Sequence, residues 1–155
     1  MFQHILVPLD ESAYAERALA YAEDMTKTGG GKVSLLVVVP RPHAPASTDQ
    51  QHLDAVSRLQ AERPQRAEHY LQERVQELRA RGLTSVETVV RTGETADCIT
   101  DVAREQGVDL IAMSTHGLGA SGRYALGSVA LKVLMTAPCP VFMVRIQEAW
   151  SAAEA

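Results

Sequence analysis

Short apolar runs alternate with amphipathic stretches along the whole chain. His4–Leu9, Val33–Val39, Val86–Val90, Asp109–Met113 and Val141–Ile146 are the apolar runs. Their shortness and their share of β-branched residues predict strands. Val33–Val39 is almost wholly apolar, the pattern of a strand covered on both faces. Four stretches between the runs carry helical spacing. Glu11 to about Lys27 sets Ala15, Ala18, Leu19 and Ala22 along one side. A second helix is predicted from about Gln51 to Arg81, with Tyr70, Leu71, Val75 and Leu78 on its apolar face. Pro64 falls inside it and should kink or restart it. Glu94 to about Gln106 turns Cys98, Ile99, Val102 and Ala103 inward, and Ser128 to about Thr136 is the fourth.

Gly82 and Gly107 mark helix ends. Thr28 and the three glycines after it make a flexible break, and Pro40, Pro42 and Pro45 open a long connection through Asp49. Strand and helix in strict alternation predict an α/β fold, a five-stranded parallel sheet with helices on both faces in three layers. Right-handed crossovers then limit its topology.

Composition changes this picture little. A chain of 155 residues suits a single domain. We expect it to span residues 1–147, with 148–155, which include Trp150, as a loosely ordered tail. A net charge of −4 gives no electrostatic case for binding nucleic acid or an anionic membrane. No apolar run approaches the ~20 residues of a membrane helix. The start, MFQHILVPLDES, has no basic region before its apolar run, so no signal peptide and a cytoplasmic location are expected. Cys98 and Cys139 form no CxxC pair and read as reduced thiols. His4, His43, His52 and His69 share no metal-like spacing, and no metal site is expected.

The candidate chemistry lies between Asp109 and Arg145. After the fourth strand come Gly117, Gly119, Gly122 and Gly127-Ser128, with Arg123 the one basic residue among them, and then an apolar helix. Glycines let backbone N–H groups approach an anion, and a helix N-terminus favours negative charge. Ser128 adds a hydroxyl at the expected N-cap. The loop follows the carboxyl end of a strand, where open α/β sheets bind ligands. Glycines that only shape a turn are the plainer alternative.

These residues carry a resemblance. Ser114-x2-Gly117-x9-Gly127-Ser128 is similar to the nucleotide motif G-x2-G-x9-G-[ST] of the universal stress protein family, with Ser114 where the family has its first glycine. The opening ILVPLDESAYAERAL, the segment TGETADCITDVAREQGVDLIAMSTHG and the closing GSVALKVLMTAPCPVFMVR resemble the family in order and separation. The likeness is weakest from about Arg41 to Gln65.

The resemblance implies a strand order 3-2-1-4-5, with a switch point between the first and fourth strands. It implies an adenine nucleotide there, ATP or else AMP or ADP, with Mg2+ as a possible companion. Asp10 would meet the nucleoside, with Pro8 and Leu9 in the same wall; its own plainer role is a helix N-cap. Backbone at Val39 would meet the adenine edge. Met113 and Ser114 would lie near base and ribose. His116 and Gly117 would belong to the loop, and Gly127, Ser128 and Val129 to the phosphate end. The last strand, 141–146, would pair across a homodimer; as an apolar edge in that order it invites pairing.

Other motifs fail on context. Gly29-Gly30-Gly31-Lys32 follows a helix and lacks the Ser/Thr of a phosphate loop. Gly117–Gly122 spells GxGxxG but lacks an acidic partner ~20 residues on. The third strand ends in Arg91-Thr92-Gly93 with no phosphoacceptor aspartate, against a receiver domain. His116 has no nucleophile or acid beside it and is no evident catalytic base. Three readings remain open: a regulatory nucleotide-binding homodimer, a nucleotide-free interaction scaffold, and a slow ATP hydrolase for which the sequence names no base.

Overall fold

The computed structural model describes residues 1–27, 29–41, 50–115 and 126–145, with backbone alone for 50–53 and 55. The expected tail, Ile146, Trp150, the loop residues His116 to Arg123, and Pro42, His43 and Pro45 lie outside the described residues, as does the side chain of His52.

The elements are β1 His4–Leu9, α1 Ala13–Lys27, β2 Lys32–Val39, α2 Gln50–Ala80, β3 Val86–Thr92, α3 Thr95–Glu105, β4 Leu110–Ser114, α4 Ser128–Thr136 and β5 Val141–Val144. The five strands form one parallel sheet in the order β3-β2-β1-β4-β5. Both faces are covered. Ile5, Val7, Leu35 and Val37 pack against Ala18 and Ala22 of α1 and Leu71 and Val75 of α2. Leu6, Leu36 and Ile111 pack on the opposite face against Ile99 and Val102 of α3 and Val133 of α4. Alternate residues of one strand thus feed two cores, which is why the strands read as unbroken apolar runs.

The glycine run is a tight turn. The N–H groups of Gly29 and Gly30 both donate to the Thr26 carbonyl, and Gly30 has φ +67°. A Cβ on Gly31 would stand 2.8 Å from the Phe2 carbonyl oxygen, so the backbones approach too closely for a side chain. At this end of the sheet His4 is buried, with Nε2 2.8 Å from Ser34 Oγ and Nδ1 3.2 Å from the Gln106 carbonyl. Burial pushes its pKa down.

Helix α2 runs through Pro64 as one helix. Proline supplies no N–H, so the Gln60 carbonyl loses its usual helical donor while the helix continues on both sides. Its two halves differ in packing. Ala67, Leu71, Val75 and Leu78 are buried, whereas no described side chain from Asp54 to Arg66 is. A charged seam joins the packed half to α1. Arg66 pairs with Glu11 at 2.8 Å, Arg74 with Glu16 at 2.9 Å and Arg81 with Glu23 at 3.6 Å. Tyr70 donates to Glu16 at 2.8 Å; burial, then that carboxylate, raises the pKa of its phenol.

Among the described residues no strand pairs with the outer side of the edge strand β5. Ile111 N–H donates to the Pro140 carbonyl and Thr115 N–H to the Val144 carbonyl, each at 3.0 Å. Backbone groups point alternately to the two sides of a strand. Pro140, Phe142 and Val144 therefore face β4, and Val141 and Met143 face the open edge.

Candidate functional site

Strands β1 and β4 pair at only two positions, Ile5 with Leu110 and Leu6 with Ile111. Beyond them β1 continues to Leu9 and β4 to Ser114 without pairing to each other, so their carboxyl ends splay. This is the switch point of the sheet, since the chain leaves β1 toward β2 on one side and enters β4 on the other. A crevice of about 620 Å³ opens there.

One wall comes from the carboxyl ends of the strands. Pro8 and Leu9 end β1 and Asp10 follows it, Val37 to Val39 end β2 and Pro40 follows it, and Met113 and Ser114 end β4 with Thr115 after them. Helix α3 adds Thr95 and Ile99, helix α2 adds Arg63, Arg66 and Ala67, and Gly127 to Ala130 close the far end. Nine of the sequence-named residues, Pro8, Leu9, Asp10, Val39, Met113, Ser114, Gly127, Ser128 and Val129, line this one crevice. His116 and Gly117 lie outside the described residues. Arg63, Arg66, Glu11, Thr95 and Ile99 were not singled out. Neither arginine was legible in the sequence, since each is an exposed helix residue whose place over the crevice depends on where the sheet stops.

Asp10 is not the N-cap of α1. Ser12 caps it, accepting the Ala15 N–H on Oγ at 3.1 Å. Asp10 Oδ1 in turn accepts the Ser12 hydroxyl and, at 3.1 Å, its N–H. The carboxylate thereby braces the turn that leads into the helix. Glu11, between them, has φ +63°, a left-handed conformation uncommon for a residue with a side chain. Its carboxylate meets both Nε (3.1 Å) and Nη2 (2.8 Å) of Arg66.

At the other end Gly127, and not Ser128, is the cap of α4, and Ser128 is the first helical residue. Gly127 N–H donates to the Thr115 carbonyl at 2.9 Å, which ties the helix start to the end of β4. Among the described residues the N–H groups of Ser128, Val129 and Ala130 have no acceptor; they are the first-turn groups that a helix cannot satisfy itself. Ser114 is buried at the strand end, so its Cβ is accommodated as an ordinary strand side chain. The Val39 carbonyl already accepts the Gly93 N–H at 3.0 Å, leaving its second lone pair for any ligand. Among the described residues no three His, Cys, Asp or Glu cluster as metal ligands would.

The model of the Universal stress protein family matches residues 1–145. The chain belongs to the universal stress protein family. A universal stress protein of Thermus aquaticus is 32% identical over 145 residues, covering 94% of this chain and all of that one. Among solved structures, universal stress protein UspA from Lactobacillus plantarum superposes with a TM-score of 0.79 at 27% identity, over 92% of this chain and 97% of that one. Two more distant members share the fold. One, from Arabidopsis thaliana, was solved with AMP bound (TM-score 0.64, 18% identity, 98% of this chain and 97% of that one). The other is a complex with cAMP (TM-score 0.60, 21% identity, 92% and 97%).

Proposed function

We propose that this chain is an adenine-nucleotide-binding stress-response protein, regulatory in role, that works as a homodimer in the cytoplasm. One observation carries the nucleotide reading. The splayed strand ends open a crevice whose far end is the start of α4, with Gly127 to Ala130 lining it. Its volume of about 620 Å³ lies in the range of small-ligand sites. Its chemistry is graded in a way that suits a nucleotide. Apolar Val39, Ile99, Met113 and Val129 can cover a base, Asp10 can accept from ribose or base, and the helix start can receive phosphate. The AMP and cAMP complexes of fold relatives favour an adenine ligand. ATP fits the same logic, and any Mg2+ would arrive on its phosphates, since that ion keeps to phosphate oxygens and water with few protein ligands. For the dimer, the support is the open edge of β5 together with the exposed Leu131, Leu134 and Met135 of α4. Two free thiols at Cys98 and Cys139 suit a reducing compartment.

Gly127→Val tests the phosphate end. Gly127 has φ −59° and ψ 150°, which valine adopts without strain, so the fold should survive. Its methyl groups would crowd the donors of Ser128 and Val129. Calorimetric titration should show ATP binding lost, with an unchanged circular dichroism spectrum. Unaltered affinity would remove the helix start from the site.

A further inference from the structure

We propose that Arg63 reads the phosphate of the bound nucleotide, making the crevice discriminate nucleotides from nucleosides. This rests on the nucleotide reading above and adds a residue from outside the family motif. The inference comes from the two halves of α2. Its apolar stripe of Leu78, Val75, Leu71 and Ala67 packs on the sheet; one turn further toward the N-terminus Pro64 is half-buried and its neighbour Arg63 is exposed. The sheet has ended by then, with β1 finishing at Leu9 and β2 at Val39. The stripe accordingly passes from core to crevice, and Arg63 lines that crevice beside Arg66 and Ala67.

The charges sharpen the assignment. Along the seam facing α1, Arg66, Arg74 and Arg81 are each matched by a glutamate. Glu11 is engaged by Arg66 through two nitrogens, so that arginine is occupied and held. Arg63 has no carboxylate within ion-pair distance among the described residues. Arg63 is exposed, and its positive charge on the lining of the crevice favours an anionic ligand there. Its planar fork also matches phosphate oxygens. A ligand that brings its own negative charge completes this set, and a neutral nucleoside does not.

The test is calorimetric titration of wild type, Arg63→Gln and Arg63→Lys with ATP and with adenosine, repeated at two salt concentrations. Wild type should bind ATP more tightly than adenosine. Arg63→Gln should lose about tenfold or more in ATP affinity, keep adenosine affinity within twofold, and show a flatter salt dependence for ATP. Arg63→Lys should recover part of the loss. Equal ATP affinity in Arg63→Gln, or equal losses for ATP and adenosine, would overturn the role given to Arg63 while leaving the nucleotide site standing. A wild type that binds neither ligand would overturn the nucleotide reading and this inference with it.

Discussion

Asp10 joins local structure to proposed binding. Its Oδ1 braces Ser12, the cap of α1, and its carboxylate lines the crevice. Removing it therefore loosens the turn that holds the Ser12 cap, as well as losing any ligand contact. Asp10→Asn separates the two, because an amide oxygen can still accept from Ser12 while the charge is gone. If Asp10 meets the nucleoside, Asp10→Ala should weaken ATP and adenosine binding by a similar factor, about 1.5–3 kcal/mol for a charged hydrogen bond. Parallel titrations with the two ligands check this. A loss confined to ATP would move Asp10 to the phosphate end. The N-cap reading of Asp10 failed for a simple reason. Asp10, Glu11 and Ser12 are consecutive, two of them are good caps, and sequence does not say that Glu11 takes a left-handed turn that hands the cap to Ser12.

At the scale of elements, most boundaries were legible because each element serves one clean pattern. The strands are buried on both faces and read as apolar runs; α1 and α3 each bury one stripe. Helix α2 was harder. Pro64 argued for a break, yet the helix continues, with no described side chain buried from Asp54 to Arg66 and its C-terminal half docked. Core packing of Leu71, Val75 and Leu78 outweighs one lost backbone bond. The crevice residues on strand ends were legible through the motif, whereas Arg63 and Arg66 were not, because their role depends on where the sheet stops beneath α2. The open edge of β5 yields a directional prediction. Met143 turns its N–H to the open side and Val144 turns its own toward β4. Met143→Pro should remove the donor offered to a partner strand and shift the proposed dimer to monomer or precipitate. Val144→Pro should instead damage the sheet itself, lowering thermal stability. Light scattering and thermal melts of the two variants check this. A soluble wild-type monomer at micromolar concentration would contradict the dimer.

At the scale of the whole molecule, the two ends of the sheet do different work. The end holding His4, Ser34, Gln106 and Asp109 is closed by hydrogen bonds that tie β1 and β2 to the C-cap of α3 and to the residue before β4. The other end is left open where β1 and β4 part, and the crevice forms there. That asymmetry gives a direct test of the central claim, an adenine nucleotide at the switch point. Backbone amide spectra of the nucleotide-free protein, recorded during titration with ATP, should show saturable shifts at Met113, Ser114, Ser128, Val129 and Ala130. The amides of His4, Ser34 and Gln106 should stay in place. No shifts at millimolar ATP, or shifts gathered away from the crevice, would contradict the account.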